Sequence, residues 1–129
     1  MRLAGGWWFV VSGVVVAFVV ASTLPVRAAD PEKGKVVFEQ CAACHSLGEP
    51  GDFDGPSLKG VVGRKAGSLE DYRYSAAMKR SDVTWDAAAL DTYIADPQAF
   101  IPGNRMAFAG IGDKAQRDDL IAYIAASTR

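Results

Sequence analysis

The sequence predicts a small all-α domain behind an apolar leader, and three observations carry that reading. Composition divides the chain: residues 1–28 hold 19 of its 64 apolar residues and only Arg2 and Arg27 as charges. In the remainder, β-branched residues never alternate with polar ones over a strand length, so no sheet has a face to bury. Three stretches instead open on a capping side chain and continue as helical patterns. Residues 29–129 make one domain, since about 100 residues is near the usual size for a single core. Of the 45 apolar residues in it, only 26 are larger than Ala or Cys. That is a thin core, and it points to a filler other than side chains.

The leader comes first. No charge lies between Leu3 and Leu24, and Arg2 precedes an apolar centre running from Trp7 to Ala21. Val26-Arg27-Ala28 has small residues at the last and third-last positions, as a secretory cleavage site requires. Residues 1–28 are therefore expected to be a signal peptide cut after Ala28. An uncleaved anchor is the alternative, because about 20 apolar residues span a bilayer. Fewer than ten residues would then separate Leu24 from the folded part. On either reading residues 29–129 are exported, to the periplasm.

In the domain, Asp30-Pro31-Glu32 supplies a cap, an N1 proline and a first-turn acid for a helix reaching about Ala43. A shorter helix is expected from Leu69 to Met78, with Ser68 as its cap. Thr84 is expected to cap a second main helix from about Asp86 to Ala95, which Pro97 ends. Asp113 caps a third, with Leu120, Ile121, Tyr123 and Ile124 as its apolar stripe. Between them lie Gly- and Pro-rich segments, Gly48 to Gly67 and Ile101 to Gly112. Loops this long are unusual unless they wrap something.

Charge narrows the partners. Without Arg2 and Arg27 the domain has 12 basic and 15 acidic residues, a net of −3. A mildly acidic domain has no electrostatic footprint for nucleic acid or anionic lipid.

The most informative string is Cys41-Ala42-Ala43-Cys44-His45. C-x-x-C spacing puts two thiols about one helical turn apart on one face, with an imidazole next to them. Both sulfurs can then form thioethers to a porphyrin while His45 Nε2 reaches its iron. Three other readings compete. A Cys41–Cys44 disulfide would be strained and close almost no loop. A thioredoxin-like pair expects a βαβ setting. A zinc site needs about four ligands, and the chain has no further Cys or His.

His45 is the only histidine, so bis-histidine ligation within one chain is excluded. A thioether is the natural second axial ligand, and Met78 and Met106 are the methionines outside the leader. Met106 lies in Ile101-Pro102-Gly103-Asn104-Arg105-Met106-Ala107-Phe108, where proline and glycine stiffen an irregular loop. Met78 sits on a helical pattern, where methionine usually fills core. Met106 is the expected ligand.

At this point the domain resembles a class I c-type cytochrome, of the small bacterial type similar to mitochondrial cytochrome c. The likeness runs over residues 31–128. It rests on Cys41 to His45, Gly55-Pro56-Ser57-Leu58-Lys59-Gly60, Gly63-Arg64, Tyr72-Arg73-Tyr74-Ser75 and Thr84-Trp85. Tyr93, Pro102 to Met106 and Asp119-Leu120-Ile121-Ala122-Tyr123 complete it. The resemblance implies a small cytochrome c fold, with three main helices, short helices and long loops around one covalent haem c. It implies metal ligation by His45 and Met106, attachment through Cys41 and Cys44, and a Pro56 carbonyl that orients His45. Arg64, Tyr74, Trp85 and Asn104 match positions that bond the haem propionates, which need donors when buried. The alternative for Tyr74 and Trp85 is that they are plain core aromatics. Tyr93 matches the tyrosine beside the axial sulfur. Gly34, Phe38, Leu120 and Tyr123 match the crossing of first and last helices.

The implied function is one-electron transport rather than catalysis, between respiratory or photosynthetic redox partners. Those partners are a cytochrome bc1-type complex, a terminal oxidase, a reaction centre or a periplasmic dehydrogenase, and the carrier is expected to be a monomer. The alternative is a haem-c enzyme or gas sensor with a labile axial methionine. One departure concerns docking. Mitochondrial-type members ring the haem edge with lysines, whereas here Lys79-Arg80 is followed by no lysine until Lys114. Glu49, Asp52 and Asp54 follow the haem motif instead. The partner surface is therefore expected not to be strongly acidic, unless these charges merely solvate the surface.

Overall fold

The computed structural model describes residues 27–128. Five helices follow in order: α1 Pro31–Ala42, α2 Ala76–Arg80, α3 Ala87–Ala95, α4 Pro97–Phe100 and α5 Lys114–Ser127. Among the described residues β structure amounts to one isolated antiparallel bridge, Lys65 to Thr84. The domain is all-α, as expected. The expected leader lies outside the described residues except for Arg27 and Ala28. No helix among the described residues is long and apolar enough to cross a membrane.

The caps explain where the helices begin. Asp30 accepts from the Glu32 and Lys33 N–H groups, Pro31 occupies the first turn, and Asp113 accepts from Gln116 N–H. Each such cap satisfies donors that a helix leaves free, worth about 1 kcal/mol.

Three expectations change. The cap of α3 is Asp86, whose carboxylate accepts from Ala89 N–H at 2.8 Å, while Thr84 is in the bridge to Lys65. A carboxylate also complements the positive end of the helix, which a threonine cannot do. The short helix α2 starts later than expected and is capped by Ser75. Ser68 instead donates to the Lys65 carbonyl at 2.7 Å and closes a turn. Pro97 does more than stop α3: it opens α4, with Asp96 as the cap.

Helices α1 and α5 make the most extensive helix–helix contact. Their backbones touch at Gly34, where an added Cβ would lie 1.9 Å from the Asp119 carbonyl oxygen. The rings of Phe38 and Tyr123 meet at 5.6 Å beside it, and Leu120 is completely buried. Burying one leucine in this way contributes about 2 kcal/mol. The four residues expected at the crossing are all there.

A polar tie fixes the same corner. Arg27 donates two bonds to the Asp119 carboxylate, at 3.0 and 2.7 Å, and Asp30 N–H donates a third at 2.7 Å. Asp119 has a side chain only 5% exposed. Such a carboxylate needs these donors to offset its lost hydration.

Candidate haem site

The last turn of α1 aims the first part of the site. Cys44 and His45 N–H both donate to the Cys41 carbonyl, at 3.0 and 2.9 Å, so the helical path continues through the motif. Gly55 and Pro56 then pass beneath the imidazole. Gly55 N–H bonds the Cys44 carbonyl at 2.8 Å, and an added Cβ there would meet His45 Cε1 at 2.6 Å. Only glycine lets the chain come this close.

His45 Nδ1 lies 2.7 Å from the Pro56 carbonyl oxygen. A carbonyl only accepts, so Nδ1 carries the proton and Nε2 keeps its lone pair. Burial lowers the imidazole below its ordinary pKa, Pro56 opposes this in part, and the Arg64 charge adds to the lowering. The ring is neutral at neutral pH, the form that ligates a metal.

His45 opens on a cavity of about 410 Å³ whose lining brings together nine of the ten predicted site residues. They are Cys41, Cys44, His45, Pro56, Arg64, Tyr74, Trp85, Tyr93 and Met106. Leu58, Val61, Leu90, Ile94, Leu120 and Ile124 supply apolar lining. The thin core is explained: these side chains face a space instead of closing on one another. Met78 also lines it and belongs to the buried core, whereas Met106 is half-buried at its margin.

The donor set tests what fits there. Cys41 and Cys44 are free thiols. Burial pushes the Cys41 thiol up to about 11, with Cys44 adding to the rise. Dithiol redox pairs depend on a lowered thiol pKa, so this pair is unsuited to that chemistry. Among the described residues no group of three or more His, Cys, Asp or Glu is placed to hold a metal ion. Arg64 donates to the Lys59 and Ser57 carbonyls, both at 2.9 Å, and burial lowers its pKa. It has no part in the ion pairs among the described residues. A half-buried cation without a carboxylate, beside an apolar cavity, two thiols and an available Nε2, fits a macrocycle bearing its own carboxylates.

Tyr74 and Tyr93 are held as neutral phenols. Burial raises Tyr74 while the Arg64 charge pulls it back, and burial pushes Tyr93 up to about 12, with Tyr72 contributing. The Trp85 and Tyr93 rings pack at 4.9 Å.

Asn104 stands apart from the expectation. It is 6% exposed and does not line the cavity. Its amide donates to the Pro97 carbonyl at 2.7 Å and to Ile101 at 2.9 Å. Its Oδ1 accepts from Met106 N–H at 2.8 Å. Both donor hydrogens thus bond backbone carbonyls, a role the resemblance did not imply. Sequence reasoning also missed Gln98, whose amide donates to the Asn104 carbonyl at 3.2 Å and the Met106 carbonyl at 3.5 Å. The Asp96-Pro97 pair, a cap followed by an N1 proline, was the signal that could have found its helix.

Comparison with known proteins shows the family. The family model described as Cytochrome c matches residues 31–128. A cytochrome c2 from Rhodoplanes tepidamans is 49% identical over 74% of this chain and 90% of its own length. A cytochrome c-550 from Nitrobacter winogradskyi is 46% identical over 74% of this chain and 88% of its own. Among solved structures, cytochrome cH from Methylobacterium extorquens superimposes with a TM-score of 0.72 at 44% identity. It covers 76% of this chain and 99% of that one. This chain belongs to the cytochrome c family, and is an electron carrier that bears a covalent haem c.

Proposed function

We propose that the chain is a periplasmic one-electron shuttle in which His45 and Met106 would be the protein ligands of the haem iron. The observation that carries this reading is the single cavity that gathers both thiols, the His45 ring with Nε2 available, and the Met106 thioether. Haem c supplies the one-electron chemistry, a change between ferric and ferrous iron. Cys41 and Cys44 tie the macrocycle to the end of α1. Pro56 keeps the His45 ring oriented and its Nε2 basic. Met106 contributes the ligand that raises the potential relative to two histidines.

The other residues set the surroundings. Arg64, Tyr74 and Trp85 supply donors to the propionates, and Tyr93 packs near the sulfur as an uncharged phenol. Were His45 and Met106 both to ligate the iron, no position would be left for a substrate, so the role would be transport and not catalysis.

Transfer runs through the cavity rim, where Gln40, Cys44, Asp54, Arg105 and Ala107 are exposed. One acid and one base there suit a partner surface without strong charge, and a monomer meets it directly. The partner classes are a cytochrome bc1-type complex, a terminal oxidase, a reaction centre or a periplasmic dehydrogenase. Transfer rates should then fall only shallowly with added salt.

The test is an optical spectrum of the haem-loaded protein, oxidised and reduced, followed by carbon monoxide on the reduced form. Low-spin c-type bands indifferent to carbon monoxide are expected. Rapid carbon monoxide binding would overturn the reading in favour of an enzyme or sensor with a labile methionine.

A further inference from the structure

We infer that Asn104, assisted by Gln98, is the positioning residue that keeps Met106 at the axial position, and that α4 exists to anchor this clamp. The inference rests on the proposed ligation by Met106. Residues 101–112 carry no helix, so no helical ladder holds the sulfur in place. Ile111 N–H bonds the Ile94 carbonyl at the far end of the segment and Arg105 bonds the Arg73 carbonyl, but the side chain that bonds the Met106 backbone N–H is one buried amide. Asn104 bonds the first residue of α4 through the Pro97 carbonyl, the residue closing α4 through Ile101, and the ligand's own backbone through Met106 N–H.

The same groups are tied a second time by main chain. Ile101 N–H donates to Pro97 and Asn104 N–H donates to Ile101, both at 3.1 Å. Gln98, on the exposed side of α4, reaches across to the Asn104 and Met106 carbonyls. A four-residue helix is too short to be stable by itself. Here Asp96 caps it, Pro97 presets its first turn, and the fully buried Pro97 ring pins it to the core. Its position therefore passes to Met106 through Asn104.

The chemistry at stake is ligand retention. Thioether bonds to ferric iron are weak, so the time Met106 spends away from the metal depends on how firmly its loop is held. Removing the Asn104 side chain leaves the Met106 N–H without its partner and the Pro97 and Ile101 carbonyls with their main-chain bonds alone, which favours loop opening. Removing Gln98 loses two longer bonds, at 3.2 and 3.5 Å, and has a smaller effect.

The experiment measures imidazole affinity for the oxidised, haem-loaded protein, since imidazole enters only when Met106 leaves. Asn104→Ala should bind imidazole roughly 10- to 100-fold more tightly, the usual scale for losing a group that orients a metal ligand. Asn104→Thr, which keeps an acceptor and one donor, should fall between Asn104→Ala and the parent. Gln98→Ala should show a smaller increase and serves as the decisive variant if Asn104→Ala does not fold. Ile121→Val on α5, away from the cavity lining, controls for general destabilisation and should leave imidazole affinity unchanged. The inference fails if the Asn104 and Gln98 variants bind imidazole like the parent while Met106→Ala binds it strongly. In that outcome Met106 ligation stands and the clamp does not. If Met106→Ala also matches the parent, the ligation itself is wrong and the clamp falls with it.

Discussion

The two residues proposed as axial ligands are held in unlike ways. His45 continues a helix: its backbone bonds Cys41, its ring bonds Pro56, and Gly55 leaves room for both. Everything that orients it lies within 15 residues of chain. Met106 lies on a segment without helix and owes its place to Gln98, Asn104 and a short helix fixed to the core. The difference teaches where the site is stiff and where it gives. A ligand at the end of an established helix moves only if that helix frays, while a clamped loop can open locally with the core intact.

The largest expected effect isolates the methionine side. Met106→Ala should turn a reduced protein that ignores carbon monoxide into one that binds it stoichiometrically, with a lowered midpoint potential. If Met78 were the ligand, the substitution would leave both properties as they were.

A second substitution acts beneath both sides. Gly34→Ala forces a methyl against the Asp119 carbonyl and should cost about 3 kcal/mol by overpacking. Denaturant unfolding of the haem-loaded protein measures it. An unchanged midpoint would mean that α1 and α5 need no such close approach.

The histidine side is tested by Gly55→Ala, which drives a methyl toward His45 Cε1 and should cost about 2 kcal/mol. Because the ring and not the loop is disturbed, imidazole affinity should rise far less than in Asn104→Ala. Equal rises in both would erase the contrast between the two sides.

The smallest effect concerns acid. The Arg27 hydrogen bond, Asp30 N–H and nearby cations hold the Asp119 carboxyl below its ordinary value, against the effect of burial. A lowered folded-state pKa stabilises the fold above the ordinary carboxylate range, and that contribution fades as pH falls through the folded value. Asp119→Asn should therefore flatten the acid limb of the stability–pH curve. A chain beginning at Ala29, which lacks Arg27, should lose stability at slightly higher pH than the full chain. Coincident acid transitions would show that Arg27 contributes nothing.

How much was legible follows the same division. The histidine side was readable because its determinants are close in sequence and chemically distinctive: two thiols, an imidazole, and a glycine and proline soon after. The starts of α1 and α5 were readable from Asp30 and Asp113, whose carboxylates do what free aspartates at helix starts generally do. The methionine side was only half readable. Met106 follows from counting thioethers and from a stiff loop. The role of Asn104 does not, because an asparagine that bonds a propionate and one that bonds backbone look alike until the carbonyls of Pro97 and Ile101 are placed in space. Helix α4 was invisible to periodicity at four residues. Thr84 and Asp86 both suit a cap, and only the bridge between Lys65 and Thr84 decides between them. Ser68 and Ser75 present the same ambiguity.

The identity of the axial sulfur is tested most directly by proton–carbon NMR of the reduced, haem-loaded protein with 13C-methyl-labelled methionine. A methyl lying over a haem ring is shifted far upfield of ordinary methionine. The expected result is one such signal, absent in Met106→Ala and retained in Met78→Leu. A shifted methyl that disappears with Met78→Leu, or none at all, would contradict ligation by Met106.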